Sequence, residues 1–108
     1  MPVIIVKFKA IYKVRVENMS VQIDIPPLLR HLTDGATTAT VKGSTVGDCL
    51  NDFVRQYPKT RRLLFDKEGK LVRYVEVYVN KTTTYPEELV KPVNEGDEIS
   101  LVYVISGG

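Results

Sequence analysis

Two alternations of apolar and polar residues open the chain. From Ile4 to Val16 every second residue is apolar, and lysines and an arginine fill most positions between. A period of two predicts a half-buried strand or a pair of strands. The basic positions suit a solvated sheet face, where lysine blocks edge pairing, or contact with an acidic partner. A second alternation, Val21–Ile25, stops at Pro26–Pro27 and predicts another strand.

One segment has the period of an amphipathic helix. Apolar residues recur at three- and four-residue steps over 46–57, and Pro58 ends the pattern. Ser44 or Thr45 is suited to cap the helix start. Cys49 lies within the apolar stripe. A catalytic or persulfide-accepting thiol is one interpretation, but a packed thiol with a raised pKa is the one that the pattern favours.

Further alternations predict three more strands with turns between them. In the longest of these strands Val75, Val77 and Val79 share one face. The segments predicted from these patterns are an irregular connection over 28–38, strands at 39–43, 71–79 and 98–105, turns at 66–69 and 94–97, and a loop over 82–89.

Composition and length exclude several classes of protein. The chain has 108 residues, 44% hydrophobic and 26% charged, which is the balance of one soluble domain. A net charge of +2 and the absence of a long apolar run predict neither nucleic-acid nor membrane binding. The N-terminus has no secretory signal, so we expect a cytoplasmic protein. One cysteine and one histidine predict no disulfide framework and no metal site.

The sequence carries no recognisable catalytic machinery. His31 is interpreted as a polar loop residue rather than a pH-sensitive or substrate-contacting one, and Lys59–Arg62 as a solvated helix exit rather than a phosphate site. No motif places a serine or cysteine beside a base, and no glycine-rich nucleotide loop occurs. We therefore predict a carrier or partner protein with no bound cofactor, not an enzyme.

The chain ends in Ser106-Gly107-Gly108, directly after the apolar run of the last predicted strand. Two glycines make a thin tail that adopts backbone angles closed to other residues. Such a tail can thread into a narrow enzyme pocket and present a single carboxylate as the reactive group. The sequence therefore places its candidate chemistry at its own end.

These features together resemble a known family. The order β-β-α-β-β, the helix opening Thr45–Leu50, the turn Glu95–Glu98 and the ending Ser106–Gly108 resemble the ubiquitin-like β-grasp sulfur carriers. That family includes the small subunit of molybdopterin synthase and the carrier of thiamine biosynthesis. The resemblance implies an α+β fold in which a mixed sheet packs on one main helix, with the extra N-terminal strand added.

Within the family the nearest resemblance is to the sulfur carrier of cysteine biosynthesis. The resemblance covers Val21–Gly108 and implies an extension over 1–20, a β-grasp domain over 21–105 and a flexible tail over 106–108. The residues that carry the subfamily likeness are Ile25–Pro26, Leu29–Arg30, Thr33, Gly35, Gly69–Leu71, Arg73, Val75 and Tyr78–Asn80.

The resemblance also implies a mechanism and partners. A ubiquitin-activating-type enzyme would use ATP to adenylate the Gly108 carboxylate and then convert it to a thiocarboxylate. In the cysteine branch a pyridoxal-phosphate cysteine synthase would receive the sulfur, and a peptidase would release the product. Molybdopterin or thiamine sulfur transfer, a ubiquitin-like protein modifier and a plain interaction module are the alternatives.

Six residues are the candidate site. Gly108 would carry the thiocarboxylate and Gly107 would complete the threading tail. Leu101, Tyr103, Ile105 and Ser106 would form part of the partner-docking surface, since one face of the last strand lies near the tail; for Leu101, core packing is the competing interpretation.

Overall fold

The structure, a computed structural model, describes residues 20–104. Within these residues the chain forms one α-helix, five strands and three short 3₁₀ helices. The strands and α-helix are β1 (Ser20–Asp24), β2 (Thr38–Lys42), α1 (Val46–Gln56), β3 (Val75–Val79), β4 (Thr82–Thr83) and β5 (Glu98–Tyr103). The 3₁₀ helices span Pro27–Leu32, Pro58–Leu63 and Glu88–Val90. The extra strand predicted at the N-terminus lies outside the described residues.

All five strands join one mixed sheet in the order β2-β1-β5-β3-β4. The neighbours β1 and β5 run parallel, with Ile23 opposite Ile99, and every other pair is antiparallel. The last strand of the described chain is therefore the central strand of the sheet. This topology, with α1 packed on one face, confirms the predicted mixed-sheet β-grasp fold.

The core lies between α1 and the inner face of the sheet. Residues at alternate positions of each long strand are buried, as a half-covered sheet requires. The helix contributes the apolar stripe that its spacing predicts. The fully buried large side chains are Phe53, Ile23, Ile25, Leu29, Leu50, Leu64, Ile99, Val21, Val41, Val46 and Val77.

Two local features set the start of α1. The Thr45 hydroxyl accepts a hydrogen bond of 3.1 Å from the Asp48 N–H, so Thr45 is the cap. Gly47 packs against the backbone of Leu89, whose carbonyl oxygen would lie 2.7 Å from an added Cβ. A side chain at position 47 would push the helix away from the Glu88–Val90 segment.

The predicted strand at 71–79 is four residues too long. Residues 71–74 lie outside β3. The Val72 N–H donates to the Leu64 carbonyl at 2.9 Å, across the turn at 66–69, and within this segment the Tyr74 carbonyl accepts from Val104 beyond the end of β5. Leu71 makes only an isolated bridge with Phe65. The apolar alternation there reflects packing against the core and not strand pairing.

Three other predicted boundaries shift. The irregular connection over 28–38 contains all but the first residue of the first 3₁₀ helix, and the final residue of the connection already belongs to β2. The predicted loop over 82–89 contains β4 and the start of the third 3₁₀ helix. The last strand ends at Tyr103, and Val104 follows it outside the strand.

Side chains of α1 occupy the outer edge of β2. The Asp52 carboxylate accepts from the Lys42 N–H at 2.9 Å, and the Gln56 amide donates to the Thr40 carbonyl at 3.0 Å. These are backbone groups that a further strand would need for pairing. The helix therefore protects the exposed edge of this strand.

Candidate functional site

The candidate site begins at the end of β5, which leads into the C-terminal tail. The Val104 N–H donates to the Tyr74 carbonyl at 2.8 Å, which holds the end of the strand against the segment before β3. Ile105, Ser106, Gly107 and Gly108 lie outside the described residues, so their assigned roles stay predictions. Four extended residues span at most about 14 Å. Any protein that takes up the terminal carboxylate must therefore contact the surface around Val104.

Leu101 is a core residue, which corrects its assignment to the docking surface. Its side chain is buried and lies opposite Val77 on the inner face of the sheet. The strand alternation that buries Ile99 also buries Leu101. Of the two interpretations given by the sequence, the structure supports core packing.

Tyr103 is half-buried at the same end of the sheet. Its hydroxyl donates to the Leu63 carbonyl, and its ring lies 6.0 Å from the Tyr74 ring, centroid to centroid. Burial, with a smaller effect from Tyr74, raises the pKa of the Tyr103 hydroxyl. The hydroxyl therefore stays protonated and ties the end of β5 to the second 3₁₀ helix.

The apolar surface nearest the tail consists of residues outside the predicted docking surface. Val102 and Val104 are 44% and 52% exposed, and Tyr74 beside them is 43% exposed. We call these three residues the tail-proximal patch. The alternation in the last strand could have identified Val102. If Leu101 faces the core, Val102 must face outward, and an apolar residue at an outward position is a candidate for binding.

Glu76 and Tyr78 continue the exposed side of β3 beside this patch. Glu76 lies opposite Val102, and the Tyr78 hydroxyl donates to the Glu76 carboxylate at 3.3 Å. The negative charge of Glu76 raises the pKa of the Tyr78 hydroxyl. The patch thus has a polar border on its β3 side, a pattern typical of protein-binding surfaces.

No group of three or more metal-ligating side chains occurs within residues 20–104. Cys49 is buried, and burial raises the pKa of its thiol to about 12, with smaller contributions from the Asp48 and Asp52 charges. It is the core thiol that its place in the helix pattern predicts. In the same part of the chain, no helix is long and apolar enough to cross a membrane.

Comparison with known proteins agrees with the fold. Residues 26–108 match the model of the ThiS family. No curated protein sequence matches the chain significantly.

Three solved structures illustrate the similarity. A chain in the complex of BexX and CysO from Amycolatopsis orientalis is 30% identical with a TM-score of 0.74, over 82% of this chain and 99% of that one. SAMP1 from Haloferax volcanii is 27% identical with a TM-score of 0.73 and the same coverage of both chains. CysO from Mycobacterium tuberculosis, described as an antigen, is 28% identical with a TM-score of 0.72, over 79% of this chain and 99% of that one.

The family match runs through the terminal glycines, and the solved structures share the sheet and helix that bring the chain to them. The protein therefore belongs to the ThiS family of ubiquitin-like β-grasp carriers and modifiers.

Proposed function

We propose that this protein is a sulfur carrier whose C-terminal Gly108 is adenylated and converted to a thiocarboxylate. The observation that carries the proposal is the extent of the family match, which covers residues 26–108 and so includes Gly107 and Gly108. The fold supports it, because β5 ends at an exposed apolar surface only five residues before the terminus.

The chemistry divides between the chain and its partners. A carboxylate is a poor acyl donor, so an activating enzyme transfers AMP from ATP to the Gly108 carboxylate and releases pyrophosphate. A sulfur nucleophile then attacks the acyl carbon, AMP leaves, and the C–S bond of the thiocarboxylate forms. The carrier supplies the acyl group and a docking surface, while ATP binds to the activating enzyme.

Cysteine biosynthesis is the pathway that we favour. Similarity to two CysO proteins, at 30% and 28% identity, supports this branch. In it the thiocarboxylate adds to an aminoacrylate on a pyridoxal-phosphate synthase, the acyl group moves to nitrogen, and a peptidase frees cysteine. Sulfur transfer to molybdopterin or thiamine would use the same activated terminus. These alternatives differ from the cysteine branch in the enzyme that receives the sulfur.

A second candidate function is protein modification. The similarity to SAMP1, a small archaeal modifier protein by name, favours it at 27% identity. The acyl group of the same adenylate would then pass to a lysine amine of the target protein, which forms an isopeptide bond and releases AMP.

The test is the intact mass of the full chain after incubation with ATP, sulfide and the adenylating enzyme encoded in the same genome. A sulfur carrier gains the mass difference between one sulfur and one oxygen, and the variant lacking Gly108 gains nothing. Absence of this gain in the full chain contradicts the carrier proposal. Lysine-linked conjugates of higher mass in cell extract, without a thiocarboxylate on the free protein, indicate the modifier instead.

A further inference from the structure

A groove of about 700 Å³ lies between the first and second 3₁₀ helices. The first helix contributes His31 and Leu32, and Tyr74 lines the groove from the segment before β3. The second helix contributes Pro58, Lys59, Arg61, Arg62 and Leu63. We call this feature the basic groove.

The charged side chains among the described residues that line the basic groove are all positive. Lys59, Arg61 and Arg62 are exposed, and no aspartate or glutamate lines the groove with them. Within residues 20–104 the ion pairs join Arg55 to Asp52 and Lys70 to Glu68, so none of the three cations is paired there. Three exposed cations on one short helix attract an anionic partner.

The groove is joined to the exit of the C-terminal tail. Tyr74 lines the groove, and its carbonyl accepts the hydrogen bond from Val104. Leu63 also lines the groove, and its carbonyl accepts from the Tyr103 hydroxyl. Because the tail beyond Val104 reaches at most about 14 Å, a protein that holds its end lies against this side of the molecule.

We propose that the basic groove binds an acidic segment of the activating enzyme that takes up the C-terminal tail, an inference that rests on the carrier function proposed above. The groove complements such a segment in two ways. Its cations can pair with carboxylates of the segment, while Leu32, Leu63 and Tyr74 can contact apolar side chains of the segment. A small anion would use only the charges, so the mixed lining favours a polypeptide.

The test uses two double variants of the full chain with the same change in net charge. The first variant, Arg61→Glu with Arg62→Glu, replaces two positive charges of the groove with two negative ones. Lys67→Glu with Lys91→Glu, at exposed lysines that do not line the groove, is the matched control. Circular dichroism melting of both variants verifies that they fold.

The first readout is ATP–pyrophosphate exchange by the adenylating enzyme at varied concentrations of the chain. Reversing the charge at Arg61 and Arg62 is expected to raise KM for the chain about tenfold at low ionic strength, with kcat unchanged. The difference in KM between this variant and the unaltered chain narrows as salt screens the charges. The control keeps the KM of the unaltered chain. An unchanged KM in the groove variant, or an equal rise in the control, overturns the proposal.

A second readout separates this proposal from the carrier function. If the unaltered chain supports no exchange, the carrier proposal fails, and direct binding then decides the groove. The probe is a fluorescein-labelled peptide of repeating Glu-Glu-Leu, followed by anisotropy. Binding that weakens about tenfold in the groove variant alone supports the proposal. Equal competition by inorganic phosphate at matched ionic strength, or tighter binding of polyuridylate than of the peptide, overturns it.

Discussion

At the residue scale, Cys49 lies fully buried in the apolar stripe of α1, and burial raises its pKa to about 12. Only the thiolate reacts readily with disulfide reagents, so we expect the folded protein to resist Ellman's reagent at pH 8. The same protein in concentrated urea is expected to react at the rate of a free thiol. Rapid labelling without denaturant would show that the thiol is accessible and would contradict its core role.

Tyr103 is a second residue whose role can be tested. Tyr103→Phe removes the hydrogen bond to the Leu63 carbonyl, and we expect the free energy of unfolding to fall by about 1 kcal/mol in urea titrations at pH 7.

The pKa of Tyr103 adds a dependence on pH. Folding raises this pKa, so the stability linked to it is present below the unfolded value of about 10 and is lost as the pH rises further. We expect the advantage of the unaltered protein over the Phe variant to shrink above that pH. An advantage that stays constant into alkali would contradict the assignment.

Residue-level predictions succeeded where the pattern alone determines burial. Cys49 was placed in the core because its helical neighbours are apolar. The surface around the tail was harder, because its residues come from separate segments: Tyr74 joins Val104 through a hydrogen bond that no local pattern shows. The terminal glycines were identified from their place at the end of the sequence, directly after the last predicted strand, and their role stays a prediction.

At the scale of elements, the contact between α1 and the edge of β2 is open to measurement. Asp52 accepts from the Lys42 N–H at 2.9 Å and pairs with Arg55 at 2.5 Å. Burial opposes its charged form, but these bonds outweigh burial and lower the pKa of the carboxyl. Asp52→Ala is expected to reduce the free energy of unfolding by about 1–2 kcal/mol at pH 7.

The same two proteins, compared at low pH, provide a check on this prediction. A lowered pKa gives stability above the unfolded value, near 4, and that stability is lost as the pH falls through the folded value. The difference between the unaltered protein and the Asp52→Ala variant should therefore narrow below about pH 4. Asn51→Ala, on an exposed position of the same helix, is the control and should show no such narrowing.

Elements with a clear period and clear ends were predicted well. The capped start and the Pro58 stop fix α1 to within a residue or two. The strand at 71–79 was overextended, because the spacing at its start suits a strand while Leu71 and Val72 bond across the preceding turn to Phe65 and Leu64. Spacing reports which side chains are buried, but it does not report where the backbone groups bond.

At the scale of the whole molecule, residues 20–104 contain a five-stranded sheet, its helix and the core between them. We expect a chain lacking residues 1–18 to fold cooperatively, with an unfolding midpoint within about 5 °C of the full chain, a shift that corresponds to roughly 1 kcal/mol. Thermal melting followed by circular dichroism measures the change. A loss of cooperative unfolding would show that the extension belongs to the core.

The spacing of apolar residues alone does not predict how the strands are arranged in the sheet. The resemblance to the carrier family gave the mixed sheet, and the parallel pairing of β1 with β5 bears it out. The basic groove was not foreseen, because His31 and Lys59–Arg62 are distant in sequence and were each interpreted as separate solvated residues. Such a surface exists only after the two 3₁₀ helices pack together.

The central position of β5 also affects how the protein is made. Of the strands described, β5 leaves the ribosome last, yet β1 and β3 both pair with it. A nascent chain therefore cannot complete its sheet until nearly all of the sequence has emerged, and the long sequence separation between β1 and β5 slows that step. Completion of the sheet and release of the tail then nearly coincide in time. In the carrier function proposed above, an activating enzyme that recognises the folded surface would meet few chains whose sheet is incomplete.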